Sequence, residues 1–171
     1  SDLIVDAGLA PGIPNFLLGL HDAQGEIDSF EYYVGGLPKN PKPPFNYKAP
    51  FSPIDVIEEY TRPARMVVDG KQITRPALSE IEDMYFEKLG TLEAFNTDGL
   101  RSILITMSHI RNMKEKTLRY AGHAALMANY RNAGKFDEER IEQTSNELFD
   151  AWRLDRKSTR LTSSHVRTSR M

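Results

Sequence analysis

Apolar positions along the chain switch repeatedly between helical and strand spacing. From Pro11 to Ala23, Phe16, Leu17 and Leu20 share a helical face, with proline in the first turn and Gly25 as the stop. Residues 26–38 set Ile27, Phe30, Tyr32 and Val34 among more polar neighbours, which predicts a strand with one buried face. Four prolines between Lys39 and Pro50 force an extended loop. Ser52-Pro53 then predicts a helix start, with Ser as N-cap and Pro in the first helical position, running to Tyr60. Residues 64–78 predict a hairpin around Asp69-Gly70. Residues 79–84 read as a helical turn and 84–95 as one or two strands. An amphipathic helix capped by Asn96 or Thr97 is expected over 98–110. Residues 113–122 are strand-like, 124–134 form a helix stopped by Gly134, and Asp137 caps a last helix. With a strand stub ahead of the first turn, this order predicts an α+β fold: a mixed β-sheet with helices packed on one face.

Composition changes the picture little. The 171 residues suffice for one sizeable core, and 40% hydrophobic with 27% charged residues is ordinary for a globular chain. No cysteine is present, which excludes disulfides, Cys-based zinc and a thiol nucleophile and fits a reducing compartment. No apolar run near the start is long enough to span a bilayer and no signal-peptide pattern precedes it, so a cytoplasmic location is expected. Residues 155–171 hold five basic side chains against Asp155. They closely resemble the string produced when sequencing-adaptor DNA is translated, so a disordered tail without function is expected there. Nucleic-acid and membrane partners are not expected, because the only basic excess lies in that tail.

Familiar chemistry is mostly missing. The four histidines show no metal-binding spacing, so no metal is expected, and no GxSxG, Walker or GxGxxG motif occurs. What remains is a set of polar groups where strands and loops give way to helices. Gly8 lies before the first helix, Tyr47 and Lys48 follow the proline loop, and Asn96, Thr97 and Asp98 precede the expected third helix. Arg119 and His123 flank the junction KTLRYAGH. Caps and turns account for each alone; together they suit a carboxylate-bearing ligand.

The segments DAGLAPGIPNFLLG, YYVGGLPKNPKPPFNYKAPFSPIDVIEEYTRPARMVVDGK, LEAFNTDGLRS and EKTLRYAGH resemble the saccharopine dehydrogenase family, in family order over most of residues 2–136. The likeness is nearer to its lysine 6-dehydrogenase-like branch. The resemblance implies an NAD(P)-dependent oxidoreductase acting on a C–N centre of a small amino acid. In it a Rossmann domain precedes an α+β catalytic and dimerisation domain. Residues 1–12 would then be the crossing from a missing cofactor domain and 13–154 the C-terminal domain, acting as a homodimer through the sheet. By the same likeness Gly8, Leu9 and Ala10 line substrate and nicotinamide, with Gly8 also on the cofactor side, and Asn96, Thr97 and Asp98 match a substrate stretch. Two family cations are absent: FSPID carries Ile54-Asp55 where saccharopine-forming members have Arg after SP, and Thr97 replaces another Arg. Each lost charged hydrogen bond is worth about 1.5–3 kcal/mol, which favours lysine over the dicarboxylic saccharopine. Ala121 stands where the family has Pro. Arg119 and Lys48 are expected to hold the substrate α-carboxylate, and His123 to take the amine proton.

Two expectations follow. One is the substrate domain of an amino-acid oxidoreductase, inactive without its cofactor half. The other is a non-catalytic α+β interaction domain that keeps the scaffold for dimerisation.

Overall fold

The computed structural model describes residues 5–49, 52–153 and 160–169. The strand stub expected ahead of the first turn falls mainly on residues 1–4, outside that set. Seven strands form one mixed sheet: β1 (Ser29–Pro38), β2 (Ala64–Val68), β3 (Lys71–Arg75), β4 (Glu82–Phe86), β5 (Gly90–Asn96), β6 (Asn112–Tyr120) and β7 (Arg160–Ser169). Five helices accompany it: α1 (Ile13–Asp22), α2 (Pro53–Thr61), α3 (Ile103–Thr106), α4 (His123–Asn132) and α5 (Ile141–Trp152).

The organising strand is β6. It lies parallel to β1, from Ser29 opposite Asn112 to Val34 opposite Thr117. Its other edge is shared by two hairpins. The β2–β3 hairpin meets its beginning at Met113, and the β4–β5 hairpin pairs along its end from Lys116 to Tyr120. The β2–β3 turn has positive φ at both Asp69 and Gly70, the geometry that matches strand twist.

Alternation along β1 divides the interior. Phe30 and Tyr32 face the helices and join Leu18, Met66, Leu100, Ile103 and Met113 in one cluster. On the same sheet face, Phe95 meets α2, α4 and α5 through Val56, Ile57, Tyr60, Met127, Leu148 and Trp152. The alternate residues Tyr33 and Leu37 face the other way, against Leu92, Ala94 and Leu118. Ion pairs Glu31–Lys114 and Glu82–Lys116 occupy that second face. The expected mixed sheet with helices over one face is therefore observed.

Three local expectations are corrected. The helical turn expected at 79–84 instead gives way to β4, which pairs with β5. The helix expected over 98–110 shrinks to α3, because Arg101 is left-handed and the would-be caps are used elsewhere. The helical face shared by Phe16, Leu17 and Leu20 on α1 is exposed, and Pro14 and Leu18 are the buried residues. Finally, residues 160–169, expected in a disordered tail, form β7 and pair antiparallel with the outer edge of β1 from Ser29 to Pro38. A free edge with ten backbone positions can satisfy a strand of almost any composition, since backbone groups make the ladder.

Candidate functional site

A cavity of about 160 Å³ lies over β1 and β6 on the helix-covered face. Its floor is made by Tyr32 and Val34 of β1 and by Glu115 and Thr117 of β6; α2 supplies Asp55, Glu58, Glu59 and Arg62. Ala10 and Pro11 close one side, and Thr97, Asp98, Gly99 and Arg101 close another. Carboxylic side chains thus outnumber guanidiniums five to two in the lining.

Most of these charges are already paired. Glu58 pairs with Arg62 along α2, and Asp98 takes a two-pronged bond from Arg65 at 2.9 Å for each contact. Burial alone would raise the Asp98 pKa, but the side-chain and backbone hydrogen bonds from Arg65 outweigh it and the carboxyl titrates below its usual range. Arg119, itself only 3% exposed, donates to Glu59 Oε2 at 2.5 Å. Burial still pushes Glu59 up against that pull.

Glu115 is different. It is 3% exposed and pairs with no cation among the described residues. Its Oε2 accepts from Thr97 Oγ1 at 2.5 Å and from the Gly99 backbone N–H at 3.1 Å. Thr97 has one hydroxyl proton and spends it on Glu115, so at 2.8 Å the Thr117 hydroxyl donates to Thr97. A side chain at position 99 is excluded, since a Cβ there would lie 2.7 Å from the Glu115 carboxyl. Burial, only partly offset by these bonds, lifts the Glu115 pKa to about 8.

Of the residues expected from the sequence, the cavity gathers Ala10, Thr97 and Asp98, and reaches Arg119 through Glu59. Gly8 and Leu9 sit in the loop leading to Ala10. That loop is tight: Gly8 N–H donates to Pro11 O at 3.0 Å, and a Cβ on Gly12 would fall 1.9 Å from Gly8 O. The other expected residues are placed elsewhere. Asn96 points to the opposite sheet face, where its amide donates to Ser79 and Glu80. Lys48 donates to the Ala151 carbonyl at 3.0 Å and serves the C-terminal end of α5. Tyr47 is buried in the aromatic core, with the Arg119 guanidinium 4.4 Å from its ring centre.

His123 is also in that core, outside the cavity lining. Its Nδ1 lies 2.7 Å from the Phe45 carbonyl, which can only accept, so Nδ1 carries the proton. Nε2 then accepts from the Tyr60 hydroxyl at 2.9 Å. Burial and then the nearby Arg119 charge depress its pKa to about 3, leaving the ring neutral with its lone pair taken. The imidazole expected to take an amine proton is thus a brace between the proline loop and α2.

The match to known families now has a structural frame. Residues 8–167 match the family model described as saccharopine dehydrogenase C-terminal domain. The chain belongs to that family. Curated relatives of this saccharopine dehydrogenase C-terminal domain include the mitochondrial alpha-aminoadipic semialdehyde synthases of Rattus norvegicus and Mus musculus, each 27% identical over 151 residues. That alignment takes in 80% of this chain but 16% of each synthase. Among solved structures, apo saccharopine dehydrogenase (L-Glu forming) from Saccharomyces cerevisiae superposes with a TM-score of 0.58 at 19% identity. It matches 87% of this domain and 42% of the yeast chain, and shows a shared fold.

Sequence reasoning missed Glu115, Glu59, Asp55 and Arg101. The signal for the first was present in β6, where the helix-facing positions run Met113, Glu115, Thr117, Arg119. Three polar residues in a row on the covered face of a central strand are costly unless they serve a site.

Proposed function

We propose that this saccharopine dehydrogenase C-terminal domain binds the amino-acid substrate of an NAD(P)-dependent oxidoreductase acting on a C–N centre, and carries the dimer contact of that enzyme through its sheet. The observation that carries the reading is the cavity over β6. Asp55 of α2, Glu115 of β6 and Arg101 take part in no ion pair among the described residues. A zwitterionic amino acid needs one cation for its carboxylate and anions for its amines, and the surplus of carboxylic groups favours a second amine, as in lysine.

Among the described residues, Gly8 does not offer a dinucleotide cradle. Gly8, whose missing side chain could open a backbone cradle, spends its N–H on Pro11, and an added Cβ there would lie 3.3 Å from Pro11 O. The cofactor would be carried by another part of the enzyme. The apolar face of α1, with Ile13, Phe16 and Leu20 exposed beside Ala10 and Pro11, is suited to receive it. Among the described residues no helix is long and apolar enough to cross a membrane.

Titration calorimetry of the purified 171-residue chain tests the substrate reading. L-Lysine should bind and saccharopine should bind at least tenfold more weakly. Arg101→Ala should weaken lysine about tenfold or more, the worth of one charged hydrogen bond. Absence of lysine binding overturns the reading.

A further inference from the structure

Within the candidate cavity, Glu115 has an asymmetry that goes beyond lining a pocket. Both of its hydrogen bonds fall on Oε2, from Thr97 and from Gly99 N–H. Oε1 accepts nothing among the described residues, so in the neutral carboxyl the proton belongs on Oε1. No ion pair holds the charged form among the described residues. From α2, Glu58 is tied to Arg62 and Glu59 to Arg119, leaving Asp55. From the segment after β5, Asp98 is tied to Arg65, leaving Arg101. From β1, the Tyr32 hydroxyl donates to Gly99 O at 2.6 Å, and burial raises its pKa so that it stays a phenol. Asp6, from the segment before α1, accepts from Ser102 N–H.

We propose that Glu115 is a proton-exchanging counter-ion for an ammonium group. When the ammonium enters, the Oε1–H bond breaks, the proton passes to bulk water, and the carboxylate left behind accepts an N–H of the ligand. The ligand brings one positive charge and the departing proton removes one, so the cavity takes up a cation without a net change of charge. This avoids two costs: an unpaired buried carboxylate when the site is empty, and an uncompensated buried ammonium when it is full. The Thr97–Thr117 hydroxyl pair and the Gly99 N–H hold the carboxylate in place in both states. The inference rests on the substrate-site reading above and names the residue that meets the amine.

Two measurements decide it. The first is calorimetry of L-lysine binding to the 171-residue chain in buffers of different ionisation enthalpy. At pH 7 the protonated carboxyl should release most of a proton per lysine bound, and the release should shrink as pH rises through its raised pKa. Glu115→Gln keeps an acceptor for Thr97 and Gly99 and should abolish the release. Release that is absent in the native chain, or unchanged in Glu115→Gln, overturns the counter-ion while leaving the substrate site standing. No lysine binding to the native chain overturns both. The second measurement needs neither ligand nor binding. An infrared difference spectrum at pH 7, native minus Glu115→Gln, should contain the carbonyl stretch of a protonated carboxyl. A spectrum without that band overturns the proposal.

Discussion

Glu115 and His123 are both buried and uncharged at neutral pH, and they leave opposite marks on stability. The Glu115 carboxyl ordinarily titrates at 4.5 and in the folded chain near 8. Between those values the unfolded chain has released the proton while the folded chain retains it, so stability declines as pH rises from about 4.5 to 8. Glu115→Gln removes that slope and should gain on the native chain by a few kcal/mol at pH 8 relative to pH 4.5. Chemical denaturation at several pH values checks this; parallel profiles would show that Glu115 is charged in the folded state. His123 acts the other way. Its depressed pKa stabilises the fold above about 6.5, and that contribution is lost as pH falls toward 3. The two windows overlap between about 4.5 and 6.5, so the native profile there is shallow and the single variants are the informative comparison. From the sequence, His123 was recognisable as a residue with a job but not as which one. An imidazole at a strand-to-helix junction looks the same whether it faces a ligand or a carbonyl such as that of Phe45. Glu115 was harder still, because the inward face of β6 is known only once β1 is placed beside it.

At the scale of elements, local chemistry was a good guide wherever the cause was local. Ser52-Pro53 does open α2, although the Ser52 side chain makes no capping bond, and Asp69-Gly70 does turn β2 into β3. It failed where partners distant in sequence decide. Thr97 and Asp98 have the composition of helix caps, but Glu115 and Arg65 claim their oxygens, and the β-branched Ile103, Ile105 and Thr106 sustain only one short turn. The aromatic layer joining α2, α4 and α5 was equally hidden. Trp152 closes α5 and meets Tyr47 edge-on at 5.1 Å and Phe45 at 5.8 Å, both in the proline loop far earlier in the chain. Trp152→Ala should therefore cost about 3–5 kcal/mol, read as a lower denaturant midpoint at unchanged slope. A loss below about 1 kcal/mol would mean that α5 is not docked on this layer.

For the molecule as a whole, the sheet has β3 and β7 at the ends of its main strand order. The ladder from β7 covers β1 along ten positions. A chain ending at Arg153 would expose that edge, a template for pairing with another molecule. Such a truncation should lower Tm and raise the mass seen by light scattering in proportion to concentration. An unaltered Tm and a concentration-independent mass would show that β1 needs no cover. The expected α+β architecture was legible because the alternation of short elements constrains it, whereas the pairing of residues 160–169 was not, since a polar strand held by its backbone has no apolar signature.

The central place of β6 has a further consequence, for time rather than stability. Its pairing partner β1 begins at Ser29, opposite Asn112, so 83 positions of chain separate the two. The hairpins β2–β3 and β4–β5 need only neighbours and can close within microseconds, but the ladder that unites them with β1 requires a long loop to close first. During synthesis at about 5–20 residues per second, β1 is complete for several seconds before β6 exists. Throughout that interval its two edges are open, and the chain depends on the polar and proline-rich stretch after Pro38 to keep them from meeting another nascent strand.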